Sequence, residues 1–95
     1  MPDPVAEARF AADPPEHRIT VNLDALVAIY HRPSGATHLL AAPSPELLDA
    51  LVQAPADAGE LLRRLADRFD IGDANPEAIA ARLGELEEAG LVRRV

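Results

Sequence analysis

Few side chains in this 95-residue chain are equipped for chemistry: three histidines (His17, His31, His38), two serines (Ser34, Ser44) and acid pairs such as Glu87 with Glu88 or Asp67 with Asp70. Three imidazoles suffice for a zinc centre if they converge. No H-x-x-x-H or H-x-x-E-H spacing occurs. A hairpin turn that sets Arg32 opposite Ala36 pairs His31 with Thr37, Tyr30 with His38 and Ile29 with Leu39. That register sends His31 and His38 to opposite faces of the sheet, so no metal site is expected. Ser34 belongs to a turn and Ser44 to a helix start, which accounts for both hydroxyls structurally. The acid pairs fall on predicted helix surfaces, where a solvated face is the ordinary reading. With no cysteine there is no disulfide, thiolate ligand or catalytic thiol. The 5 glycines form no phosphate-cradling loop. No catalytic residue and no cofactor is expected.

Basic side chains offer a second kind of chemistry, binding to phosphate. All 9 are arginines, set against 16 acids for a net charge of -7. Arg63, Arg64 and Arg68 form a short cluster interleaved with Asp67 and Asp70. The last helix carries Glu77, Glu85, Glu87 and Glu88 against Arg82 alone. A phosphate backbone is repelled by such a surface, so nucleic acid is not an expected partner, and a winged-helix DNA binder is the least favoured reading.

The elements that position these residues follow from periodicity. Residues 1–16 are rich in Pro, Ala and acid without a sustained period, which predicts a loose leader docking through Phe10. His17 to His31 is rich in β-branched and aromatic residues broken at Asn22-Leu23-Asp24, predicting two strands. Arg32-Pro33-Ser34-Gly35 suits a type I turn with Gly35 left-handed beside a bulge, and Ala36 to Ala41 is the third strand. After residue 42 the period becomes about 3.6. Ser44-Pro45 opens a helix with Leu47, Leu48, Leu51 and Val52 on one face, ending near Ala54-Pro55. Asp57 with Glu60 is a capping box for a second, carrying Leu61, Leu62, Leu65, Ala66 and Phe69 and ending before Gly72. Asn75-Pro76 opens a third with Ile79, Leu83 and Leu86 inward, closed by Gly90-Leu91. Leu91 to Val95 ends as a short strand or a tail. The fold class is therefore α+β and winged-helix-like, a three-stranded antiparallel sheet followed by a three-helix bundle.

Length allows one small domain with a single core. The longest apolar run, Ala25 to Tyr30, falls far short of the about 20 residues that cross a bilayer, and the N-terminus lacks the basic-then-apolar order of a secretory signal. No membrane association and a cytoplasmic location are expected.

The run Tyr30-His31-Arg32-Pro33-Ser34-Gly35-Ala36-Thr37-His38-Leu39-Leu40 has a recognisable sequel. A Leu-rich capped helix follows, then Glu60, Leu61, Leu65 and Ala66, and a closing L-x-x-x-G-L from Leu86 to Leu91. In order and spacing, residues 17–95 resemble the PqqD-like family of peptide chaperones, also called RiPP recognition elements, and most of all its HPr-related-system subgroup. Leu40-Ala41-Ala42-Pro43 departs from the Leu-Asn that many relatives have there. The resemblance implies a non-catalytic module that takes the leader of a ribosomal precursor peptide as an added strand. It then presents that leader to a separate modifying enzyme, here an HPr-kinase-like one. Carried onto this chain, the peptide-binding residues are Ala36, Thr37, His38, Leu39, Leu40 and Ala41 on the third strand. On the third helix they are Ala78, Arg82, Glu85 and Ala89, with Arg82 and Glu85 as polar rim. Which face of the strand lines the groove stays open, as does the choice between monomer and homodimer. The alternative is a structural adaptor or homodimer docking on a kinase-like partner.

Overall fold

A computed structural model describes residues 8–67 and 75–95. Its elements are β1 (Phe10–Ala12), a 3-10 turn (Pro15–His17), β2 (Arg18–Leu23), β3 (Leu26–His31), β4 (Ala36–Ala41), α1 (Ser44–Gln53), α2 (Ala58–Ala66), α3 (Pro76–Glu88) and β5 (Val92–Arg94). The architecture is α+β: a three-stranded antiparallel sheet in the order β2-β3-β4 precedes three helices, and β1 pairs with β5 in a separate two-stranded ribbon. The expected end of the second helix before Gly72, with Phe69, Arg68 and Asp70, lies outside the described residues.

The helices begin and end where local chemistry dictates. Asp57 accepts from the Glu60 N–H and Asn75 from the Ala78 N–H, both at 2.8 Å, so each satisfies a donor that the first turn leaves free. Ser44 makes no such bond; helix α1 already starts at Ser44, whose side chain is buried. The end of α3 is a Schellman motif: Gly90 has φ 81, Leu91 N–H reaches the Leu86 carbonyl and Gly90 N–H the Glu87 carbonyl, each at 3.0 Å. Beyond the adjoining backbone, no atom lies within 4 Å of a Cβ added at Gly90 or at Gly84. The two glycines differ in backbone conformation alone, and the same substitution should have opposite effects. Gly84→Ala, inside α3, is expected to raise stability by about 0.5–1 kcal/mol, whereas Gly90→Ala lowers it by about 1 kcal/mol, read as shifts in urea midpoint.

One core holds the elements together. Leu47, Leu48 and Leu51 of α1, Leu61 and Leu65 of α2, and Ile79, Ala80, Leu83 and Leu86 of α3 are buried with Ile29, Phe10, Leu91 and Val92. Phe10 is fully buried, so residues 10–12 are not a loose leader. Its N–H and C=O both bond to Ala56, at 2.8 and 3.0 Å, which lays β1 between β5 and the link joining α1 to α2. Asp13 ties this ribbon to the sheet: Oδ1 meets Arg93 of β5 at 2.7 Å, and Oδ2 lies 3.7 Å from His17 Nδ1 and 3.9 Å from His31 Nε2.

The hairpin between β3 and β4 corrects the expected register by one residue. His31 faces Ala36, Tyr30 faces Thr37, Ile29 faces His38 and Ala28 faces Leu39. The loop has four residues, closed by Gly35 N–H on the His31 carbonyl at 2.8 Å with Gly35 at φ 72. Ser34 favours this longer loop, since its Oγ accepts from Ala36 N–H at 3.2 Å and bonds His31 Nδ1 at 2.8 Å. A slip of one residue exchanges the faces of a strand. His31 and His38 consequently share the inner face of the sheet rather than opposing each other.

Candidate sheet edge and helical rim

With the register known, each strand residue has a face. Arg18, Thr20 and Asn22, Val27, Ile29 and His31, and Ala36, His38 and Leu40 point toward the helices. The opposite face is a grid of three rows, Ile19-Tyr30-Thr37, Val21-Ala28-Leu39 and Leu23-Leu26-Ala41. Thus the question of which set of β4 side chains faces inward is settled. Ala36, His38 and Leu40 do, with Leu40 packed on the core, while Leu39 is 62% exposed.

The direction of each backbone group also follows. Arg32 N–H donates to the His17 carbonyl at 2.7 Å, and a two-residue turn joins Leu23 to Leu26. Bonded and non-bonded pairs alternate along an antiparallel ladder, so β3 residues 26, 28 and 30 aim their N–H and C=O at β2, and 27, 29 and 31 aim theirs at β4. The partners Ala36, His38 and Leu40 complete the ladder. Thr37, Leu39 and Ala41 therefore direct their N–H and C=O away from the sheet, along an edge that no strand among the described residues occupies. The edge has neither a charged residue nor a proline, the usual devices that discourage pairing.

The helical half of the expected site lies on α3. Ala78, Arg82 and Glu85 are exposed and Ala89 is partly buried against the core, on the stripe adjacent to Ile79, Leu83 and Leu86. One Arg82 nitrogen bonds both Glu85 carboxylate oxygens at 2.9 Å. An exposed pair of this kind contributes little to stability and leaves both groups available at a rim. The helix packed directly on β4 is α1, whereas α3 rests on α1, α2 and β5.

A feature that sequence reasoning missed sits at the other edge. Beside β2, a cavity of about 150 Å³ opens between Arg18, Thr20 and Asn22 and the Pro45, Glu46 and Asp49 side of α1. Arg18 bridges it to Asp49 at 3.2 Å. The polar alternation of β2 was the available signal, hidden because polar strand positions are normally assigned to solvent.

The histidines hold no metal geometry. Among the described residues, no group of three or more His, Cys, Asp or Glu side chains is arranged to bind an ion. His31 and His38 each bury an Nε2 without a hydrogen-bond partner. Among the described residues, no helix is long and apolar enough to cross a membrane. No family model, curated protein or solved structure was found to match the chain.

Proposed function

We propose that this chain is a non-catalytic peptide-recognition module of winged-helix-like form, which captures an extended peptide as a fourth strand on β4 and hands it to a separate modifying enzyme. The observation that carries this reading is the free edge at Thr37, Leu39 and Ala41. An incoming strand gains main-chain hydrogen bonds from those three residues, and its alternate side chains select the peptide. On the inner side it meets the flank of His38 and Leu40, and on the outer side Leu39. The resemblance to the PqqD-like family, with its subgroup beside HPr-related proteins, makes the leader of a ribosomal precursor the favoured ligand and an HPr-kinase-like enzyme the favoured recipient. Arg82 and Glu85 serve as a polar rim for the part of the peptide that runs past the strand.

A second reading draws on the cavity beside β2. A peptide added there would expose its inward side chains to Glu46 and Asp49, which favours basic residues. One titration separates the two. Peptides selected from a random display library on the immobilised chain are added to nitrogen-labelled protein, and amide shifts are followed. Shifts centred on residues 36–41 support the β4 edge, and shifts centred on 18–22 transfer the proposal to β2. Failure to select any peptide argues against both and returns the function to a structural adaptor.

A further inference from the structure

The outer face of the sheet is unusual in composition and orientation. In β2 the apolar residues Ile19, Val21 and Leu23 point away from the helices, while Arg18, Thr20 and Asn22 point toward them. A half-buried strand normally turns its apolar set inward, and burial is what specifies register. Here the apolar set is specified for a face that the described residues leave open. Across the whole grid of nine positions there is no charged side chain, in a chain that is 26% charged with a net charge of -7.

From this we infer that the outer face is the interface of a homodimer, two copies packing sheet on sheet. Size supports a second copy. Ile19, Val21, Leu23, Leu26, Tyr30 and Leu39 are each 39 to 62% exposed. At about 200 Å² per large side chain, that is roughly 600 Å² of apolar surface, at the upper end for a monomer and close to the roughly 800 Å² per partner of a stable complex. Charge supports it as well. Two strongly acidic copies repel through most of their surfaces, whereas this face brings no like charges together.

Shape supplies the third argument. A two-fold axis running along β3 places β2 of each copy over β4 of the other. Ile19 then meets Thr37, Val21 meets Leu39 and Leu23 meets Ala41, so large residues face small ones at the four corners, while Tyr30 and Leu26 each meet their own copy on the axis. Ala28 at the centre lets the sheets approach, as aligned sandwiches require. The edges of β4 stay free in this arrangement, so the dimer does not depend on the peptide reading.

Sedimentation equilibrium of the full chain, from micromolar to several hundred micromolar, tests this with two variants. The wild type is expected to shift from 10.1 kDa toward twice that mass, more readily at higher salt, which screens the net charge. Leu39→Glu, at the most exposed leucine of the face, should weaken self-association by about 100-fold or more while circular dichroism shows it folded. Val21→Glu, on the same face but on β2 and away from the β4 edge, should weaken it comparably, whereas a contact made through the β4 edge would be left intact. Thermal midpoints should rise with protein concentration for the wild type and not for Leu39→Glu. A wild type that stays monomeric throughout overturns the proposal and leaves the face to another macromolecule. A dimer that survives Leu39→Glu or Val21→Glu in a folded chain overturns it equally by moving the contact elsewhere.

Discussion

Phe10→Ala is expected to remove about 3–5 kcal/mol of stability, the range for deleting a fully enclosed aromatic ring. A domain of this length has only about 5–14 kcal/mol in total, so a large fraction of the fold's reserve is lost. The ring has no exposed surface, sits in the core with Leu91 and Val92 beside Ala56, and carries the Arg94 guanidinium 5.7 Å from its centroid. The same residue anchors β1 through both backbone bonds to Ala56, which the alanine keeps. The loss is therefore a packing loss, and urea unfolding should show a midpoint lower by about 2 M or more at an unchanged slope. A shift under about 0.5 M would mean that the ribbon is dispensable to the core.

The second large effect concerns binding. Thr37→Pro removes one N–H that points out of the sheet, and no bond of the β3-β4 ladder, because Thr37 occupies an outward position. Stability should fall modestly, by about 1 kcal/mol or a little more, from the fixed φ of proline in a strand. Affinity for a peptide selected on the wild type should fall by about 30-fold or more, since a main-chain donor is lost and the ring occupies the space where the new strand lies. Titration calorimetry on the folded variant measures this. His38→Pro is the contrasting substitution: it removes a ladder donor facing Ile29, and is expected to unfold the sheet rather than to change binding selectively.

Much of the helical half was legible from the residues alone. Asp57, Asn75 and Gly90 are found in their expected roles because a cap is a local transaction between side chain and backbone, complete within a few residues. The apolar stripes of α1, α2 and α3 were likewise readable, since 3.6-residue periodicity over nine or more positions leaves little ambiguity. The strands were harder. Arg32-Pro33-Ser34-Gly35 is compatible with a three- or a four-residue loop, and the choice rests on the two bonds made by the Ser34 hydroxyl. That single residue moved His38 from opposite Tyr30 to opposite Ile29 and put it on the face of His31. Of the β1-β5 ribbon only β5 was anticipated, as one of two readings of Leu91 to Val95, and neither β1 nor the pairing was readable. Three residues have no period, and their pairing joins Phe10 to Arg94, so it forms only when the helices between them have packed.

For the candidate site, Ala36 to Ala41, now β4, was identifiable as an edge strand, and the α3 stripe of Ala78, Arg82, Glu85 and Ala89 as the surface beside the core. What required the fold was direction. The β2 pattern, apolar and polar in alternation, says only that its two faces differ. The contact with α1 decides that the polar set of Arg18, Thr20 and Asn22 turns inward and the apolar set outward. Likewise only the ladder parity separates Thr37, Leu39 and Ala41, which can take a new strand, from Ala36, His38 and Leu40, which cannot.

That parity allows the most direct test of strand addition. Amide hydrogen exchange of residues 36–41 is measured by NMR with and without a peptide selected on the wild-type chain. In the free protein Ala36, His38 and Leu40, bonded to β3, should exchange slowly, and Thr37, Leu39 and Ala41 quickly. On saturation with peptide, the three outward amides should become protected by about 10-fold or more while the other three change little, leaving all six protected. Protection spread evenly over the six, or confined to α3, would contradict a peptide strand on this edge.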